Sequence, residues 1–333
     1  MRYKDRIYGI VKITDPVVVD IISSDAFQRL KGVDQAGYFE VYFPGTAHTR
    51  FEHSIGCYAL LRRFGASKEE QLAGLIHDLS HSAFSHTADY VFASGRGADH
   101  NYQDDIFADF VQRTDIPHIL SVHGYNPKHI LDESRFPLQE RQLPDLCADR
   151  IDYSLRGMLI FGIATKKDVA NFLAHLSVVD KKWVFDSFEI ADSYAAHFKK
   201  LNDRHYAGKE TAAMFLRTSA WIKYARNKGY ITHNDIFATD AEVIAKINSH
   251  LSSDKKLAAL WEEMNTPNII LGKKDENNVT KVIVKSRIVD PLFKEEGNII
   301  RVSEKNPLWK KTVRKDLEPK TYYIVTLATP KKI

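Results

Sequence analysis

"LIHDLSHSAFSHTADYVF", residues 75–92, sets His77, Asp78, His81, His86 and Asp89 into a stretch whose other residues suit burial. A titratable group taken out of water must find a partner, and a run this dense asks for a shared one. Of the 14 histidines in the chain, six fall between positions 48 and 100: His48, His53, His77, His81, His86 and His100. A lone histidine on such a segment is ordinarily a hydrogen-bonded core or surface residue; clustering weakens that reading. His77 and His81 are four apart, which in a helix puts them on one face, and Asp78 directly follows His77. Imidazole nitrogens and carboxylate oxygens together form the donor set of divalent metal sites.

Upstream, "HTRFEHSIG" (48–56) puts His53 at the start of an apolar helix, and downstream "LCADRIDYSL" (146–155) puts Asp149 in the middle of a segment suited to burial. A carboxylate buried there needs a cation or a charged partner. Two readings of Asp149 follow from the residues alone: a metal ligand, or an intrahelical pair with Arg150 or Arg156.

The surrounding chain predicts a mostly α fold, a helical domain over 1–275 with its metal site within 48–160, and a small strand-containing α+β extension over 276–333. Helix-spaced apolar positions run through "DPVVVDIISSDAFQRLKGV" (15–33), "HSIGCYALLRRF" (53–64) and "SKEEQLAGLIHDL" (67–79), the last with a serine cap and an acidic first turn. Further helices are expected at about 101–113, 144–159, 167–176, 188–228 and 233–249. "NVTKVIVKSRIVDP", "NIIRVSE" and "KTYYIVTLAT" then turn β-branched and aromatic, which reads as strands. With 333 residues, 44% of them hydrophobic and 27% charged, the chain can bury a large core and has no low-complexity tract. Cys57 and Cys147 are the two cysteines, too few for a disulfide framework in a chain this long, so a reducing cytoplasm is expected. No 18 uncharged apolar residues run together, so no membrane span is expected. The net charge of +4 is modest, with lysine and arginine gathered in "NPLWKKTVRKDLEPK" and the final "KKI", a solvated face or a place for an anionic partner.

"FQRLKGVDQAGYFEVYFPGTAHTRFEHSIG", "LAGLIHDLSHSAFSHTAD" and "ADRIDYSL" resemble, in order and spacing, the HD-domain phosphohydrolases of the deoxynucleoside triphosphate triphosphohydrolase type. The resemblance covers roughly residues 5–160, with weaker echoes in "LNDRHYAGKETAAMF" and "VKSRIVDPLF". It implies a helical HD fold and makes His53, His77, Asp78 and Asp149 the ligands of a divalent ion, whether Mn, Fe, Zn, Co, Ni or Mg. By the same resemblance Arg50 binds phosphate, as do Arg150 and Tyr153. His81, His86, Asp89 and His100 contact the phosphates and supply the leaving-group proton. Gln35 and Tyr206 approach the sugar.

The implied reaction is attack of water at the α-phosphorus of a dNTP, giving deoxynucleoside and triphosphate. A histidine such as His86 or His100, oriented by Asp89, would carry a pKa near neutrality and protonate the departing 5′ oxygen. The stretch 75–92 would then supply metal ligands and proton donors from one rigid helix. The family also implies a dimer or tetramer, and in some members an activating nucleotide between subunits, for which Lys209 and the C-terminal cations are the candidates here.

Three departures bear on substrate. Ser80 replaces the usual glycine of H-D-x-G-H and Ser82-Ala83 the Gly-Pro that follows; Gly157 stands where deoxynucleotide enzymes carry a carboxylate for the 3′ hydroxyl; and Ala36 stands where a bulky residue crowds a 2′ hydroxyl. Relaxed sugar selection is the expectation, with ribonucleotides, nucleoside monophosphates or another phosphoester as further substrates. A non-catalytic nucleotide or nucleic-acid binder is the reading of a different class; four intact ligand positions count against it.

Overall fold

The computed structural model describes residues 1–92, 102–274, 276 and 278–326. His100 lies outside the described residues. The fold is mostly α, as the periodicity predicts, and its two central helices are Arg50–Arg63 and Ala148–Ile160, packed side by side. Thr49 caps the first through its hydroxyl to the Glu52 amide, so the helix begins three residues earlier than the sequence suggests and places Arg50 and His53 on one face. Gly56 allows the close approach. A Cβ there would stand 2.1 Å from the Asp152 carboxylate and 2.2 Å from the Arg156 guanidinium.

Several expected helices are broken, each for a local reason. Residues 15–33 divide at Ser24, whose hydroxyl accepts the Phe27 amide and starts a new helix. The expected helix 188–228 runs from Phe188 to Leu201, opens into a π-type turn over Asn202–Tyr206, and resumes at Lys209. Gly208 sits at that break, where a Cβ would meet the Arg204 carbonyl at 2.6 Å. Residues 233–249 become a 3-10 turn over Asn234–Phe237 and a helix from Asp240 to Asn248, started by a Thr239–Glu242 capping box.

The stretch 75–92 is not one helix. Lys68–Ile76 ends just before His77, and Thr87–Phe92 begins a second helix; between them the chain runs in turns. Phe84 and Ser85 take positive φ values of 58° and 47°, which a right-handed helix excludes. This turn is anchored from behind. Arg29 donates to the Leu79 and His81 carbonyls at 2.6 and 2.8 Å, and Asp240 accepts the Phe84 amide at 2.8 Å and the Asp34 amide at 3.0 Å.

The strands among the described residues form three small sheets. β1 (Arg2–Asp5) and β2 (Gly9–Lys12) make an N-terminal hairpin, and β5 (Val279–Val284) pairs with β8 (Lys320–Val325). The third has the order β3 (Leu176–Val179), β4 (Lys182–Phe185), β6 (Leu292–Glu295), β7 (Asn298–Arg301), with β4 and β6 parallel. Phe293, Val302 and Trp309 therefore share one buried cluster with Phe185, Phe198 and Leu155. No helix among the described residues is long and apolar enough to cross a membrane.

Candidate metal centre and substrate cavity

Four side chains from three elements converge below the turn that follows His77. His53 Nε2 lies 3.2 Å from His77 Nε2 and 2.9 Å from Asp149 Oδ1; His77 Nε2 lies 3.5 Å from both Asp149 Oδ1 and Asp78 Oδ1. Asp78 Oδ2 closes the ring at 3.7 Å from His53 Nε2. Around a divalent ion with ligand distances of about 2.0–2.2 Å, neighbouring donors stand roughly 2.9–3.6 Å apart, so these atoms can hold one.

Second partners fix which nitrogens face inward. His53 Nδ1 donates to Asp152 Oδ2 at 2.7 Å and His77 Nδ1 to the Gly74 carbonyl at 2.8 Å, leaving both Nε2 atoms for the centre. The charge balance agrees. Burial alone would push the His77 pKa down, yet Asp78 and Asp149 raise it to about 10, so the carboxylates demand positive charge at that point, as protons or as a cation. Cys57 lies close, but its Sγ is 3.8 Å from Nδ1 and 3.6 Å from Nε2 of the one His53 ring. It rests against the imidazole, and burial holds its thiol protonated.

Asp149 therefore makes neither intrahelical pair. Arg156 is taken by Asp152 and Asp5, at 2.9 Å each, in a fully buried network. Arg150, expected on phosphate, donates to the Asp145 and Arg141 carbonyls and to Glu140 at the cavity edge. Arg50 points into the cavity and donates to Asp78 Oδ2 at 2.7 Å, Ser85 Oγ at 2.8 Å and the Gln35 carbonyl at 2.8 Å. Lys209 forms an exposed ion pair with Glu210.

A cavity of about 350 Å³ opens above the cluster, lined among others by Arg50, His81, His86, Glu133, Lys285 and Arg287. His81 Nε2 is 3.4 Å from Asp78 Oδ1, and its ring packs edge-on against His86. His86 Nδ1 is 3.3 Å from Asp89 Oδ2, the orientation expected. Its pKa is not near neutrality. Burial, then Arg287, Arg50 and Lys285, hold it well below the usual histidine range.

A smaller side chamber adjoins the first and shares Gln35, His86, Tyr153 and Arg287 with it; Ala36, Phe39, Tyr206 and Phe215 complete its walls. Gln35 Oε1 and the Tyr153 hydroxyl are buried here without a hydrogen-bond partner among the described residues. The Tyr206 hydroxyl donates to the Tyr153 carbonyl at 3.1 Å and fills the place a side chain at 157 would take, 2.2 Å from the Cβ position of Gly157.

Sequence reading missed Asp152, although it stands one helical turn beyond Asp149 on the same face. It also missed Glu133, and it named no role for Lys285 and Arg287 although both lie in "VKSRIVDPLF", one of the weaker echoes of the family.

His48 is apart from the cluster. Its Nδ1 donates to the Thr46 carbonyl at 3.1 Å, its Nε2 has no partner among the described residues, and burial depresses its pKa to about 3. A histidine with a lowered folded pKa contributes no penalty above its unfolded value near 6.5 and destabilises progressively as pH falls from there to about 3, at about 1.4 kcal/mol per unit of depression. We expect chemical denaturation to show His48→Leu losing less stability than the parent between pH 6.5 and 4; equal slopes would remove His48 as the cause.

No family model matches the chain. It is 35% identical over 298 residues to the uncharacterized protein YdhJ of Bacillus subtilis, covering 87% of this chain and 88% of that one. It is 29% identical to metal-dependent phosphohydrolase cns2 of Cordyceps militaris, over 86% and 83% of the two chains. A deoxynucleoside triphosphate triphosphohydrolase SAMHD1 homolog of Dictyostelium discoideum is 25% identical over 90% of this chain and 61% of its own. Among solved structures, a phosphohydrolase from Bacteroides thetaiotaomicron superposes with a TM-score of 0.73 over 98% of this chain and all of its own, at 19% identity.

Proposed function

Because the chain belongs to the HD superfamily of metal-dependent phosphohydrolases, we propose that it hydrolyses nucleotides at the α-phosphorus, releasing a deoxynucleoside and triphosphate from dNTPs. The observation that carries this reading is the junction of two unlike spaces: a metal-competent, cation-lined cavity opening into an aromatic side chamber with two unpartnered buried polar atoms. A phosphate chain suits the first and a nucleoside the second. The resemblance to the SAMHD1 homolog supports the same substrate class.

His53, His77, Asp78 and Asp149 would hold the ion, whose chemistry when bound is to make water nucleophilic near neutral pH and to offset charge on the phosphoryl group. Arg50, already oriented by three acceptors, offers its remaining N–H groups to a nonbridging oxygen. His81 stands beside it at the cavity wall. Burial and the neighbouring cations hold the His86 pKa low, and the charge of an arriving phosphate chain would offset those cations; its pKa would then rise, with Asp89 orienting it to protonate the leaving oxygen. Gln35 and Tyr153 meet the nucleoside. With no side chain at 157 and only Ala36 at the chamber wall, ribonucleotides fit the same reading.

Product analysis tests it. Purified protein with Mn is incubated with each dNTP and NTP, and products are separated by ion exchange. Deoxynucleoside with intact triphosphate is expected, with ribonucleotides turned over within about tenfold; stepwise release of phosphate would overturn attack at the α-phosphorus.

A further inference from the structure

We infer that Lys285 and Arg287, from the connection between β5 and β6, form a clamp for the phosphates beyond the one attacked, and so set how long a phosphate chain the site prefers. This rests on the nucleotide reading of the same cavity. The strand alternation of β5 continues past its end: Val282, Val284, Ser286 and Ile288 are buried, while Ile283, Lys285 and Arg287 are only half-buried. Positions two apart in extended chain point the same way, and both cations line the cavity above the metal cluster.

Their footing is rigid. Ser286, between them and 2% exposed, accepts the Asn202 side-chain amide at 3.0 Å, and the Arg287 amide donates to Asn202 Oδ1 at 2.9 Å. Asn202 opens the π-type turn that ends in Tyr206, so one short turn fixes the cation pair and a wall of the side chamber together. Arg287 lines both spaces and makes no side-chain ion pair or hydrogen bond among the described residues. Lys285 lines the metal cavity alone, and burial followed by repulsion from Arg287 lowers its pKa to about 8. Two cations held that close, one of them without an acidic partner, gain nothing for stability; a chain of phosphates brings several negative charges on oxygens spaced to meet both.

The test is binding of inorganic phosphate, pyrophosphate and tripolyphosphate by calorimetry to the whole protein with Mn, comparing the parent with Lys285→Met, Arg287→Met, the double variant, and Lys281→Met on the exposed face of β5 as a control. Tripolyphosphate affinity is expected to fall about 100-fold in the double variant and about tenfold in each single one. Phosphate should change less than threefold, Lys281→Met should match the parent, and melting temperatures should hold or rise. Arg287→Lys is expected to recover part of the loss. Equal tripolyphosphate binding in parent and folded single variants would overturn the clamp even if nucleotides are hydrolysed. Lost tripolyphosphate binding in a protein that hydrolyses no nucleotide would keep the clamp and sink the nucleotide reading.

Discussion

Asp78→Ala is expected to lower turnover by about a thousandfold or more, because a metal-assisted hydrolysis that loses its ion loses several kcal/mol of transition-state stabilisation. Asp78 serves two masters here. One oxygen faces His77 at 3.5 Å and the other accepts Arg50 at 2.7 Å. Its removal would therefore take a proposed ligand from the centre and a tether from Arg50, the arginine proposed to bind phosphate. Metal content by elemental analysis separates the two effects: Asp78→Ala should purify with little ion, whereas Arg50→Met should keep its ion and still lose activity. An Asp78→Ala protein with full metal content and parental turnover would refute the assigned centre.

Arg156→Met should destabilise the fold by about 3–5 kcal/mol, the usual effect of stripping one partner from a buried ion network. Asp152 and Asp5 would be left charged, 0% and 4% exposed, in the seam between the two central helices and the N-terminal hairpin. The same substitution reaches the metal. Asp152 holds the His53 Nδ1 proton at 2.7 Å, and Arg156 orients that carboxylate at 2.9 Å, so metal affinity is expected to fall by about 10–100-fold. Denaturant titration and metal competition read the two separately. Unchanged values in both would show that the network contributes neither stability nor orientation.

The grouping of His53, His77, Asp78 and Asp149, proposed to hold the ion, was legible because imidazoles and carboxylates in that spacing have little other use, and the structure brings the four side chains together. The rigid helix over 75–92 was an overreading: apolar periodicity gives no warning that Phe84 and Ser85 adopt left-handed backbone. The hairpin of β3 and β4 stayed hidden for a similar reason, since Asp180 and Lys181 turn it with φ of 49° and 56° and without the glycine that usually marks such a turn. For Arg150, sequence counts a guanidinium without showing that both of its terminal nitrogens are already engaged by Asp145, Arg141 and Glu140. The segment of Lys285 and Arg287 was noticed for its resemblance, but their place on the cavity was not, because their distance from the motif in sequence is closed only by tertiary packing.

The parallel pairing of β4 with β6 also imposes an order on how the molecule comes into being. Val184 and Phe185 meet Leu292 and Phe293 across about a hundred residues of intervening chain, a contact that local structure cannot form early. A nascent polypeptide has Trp183, Val184 and Phe185 to hide well before their strand partner has been synthesised, and two of the cavity's cations, Lys285 and Arg287, arrive in that same late segment.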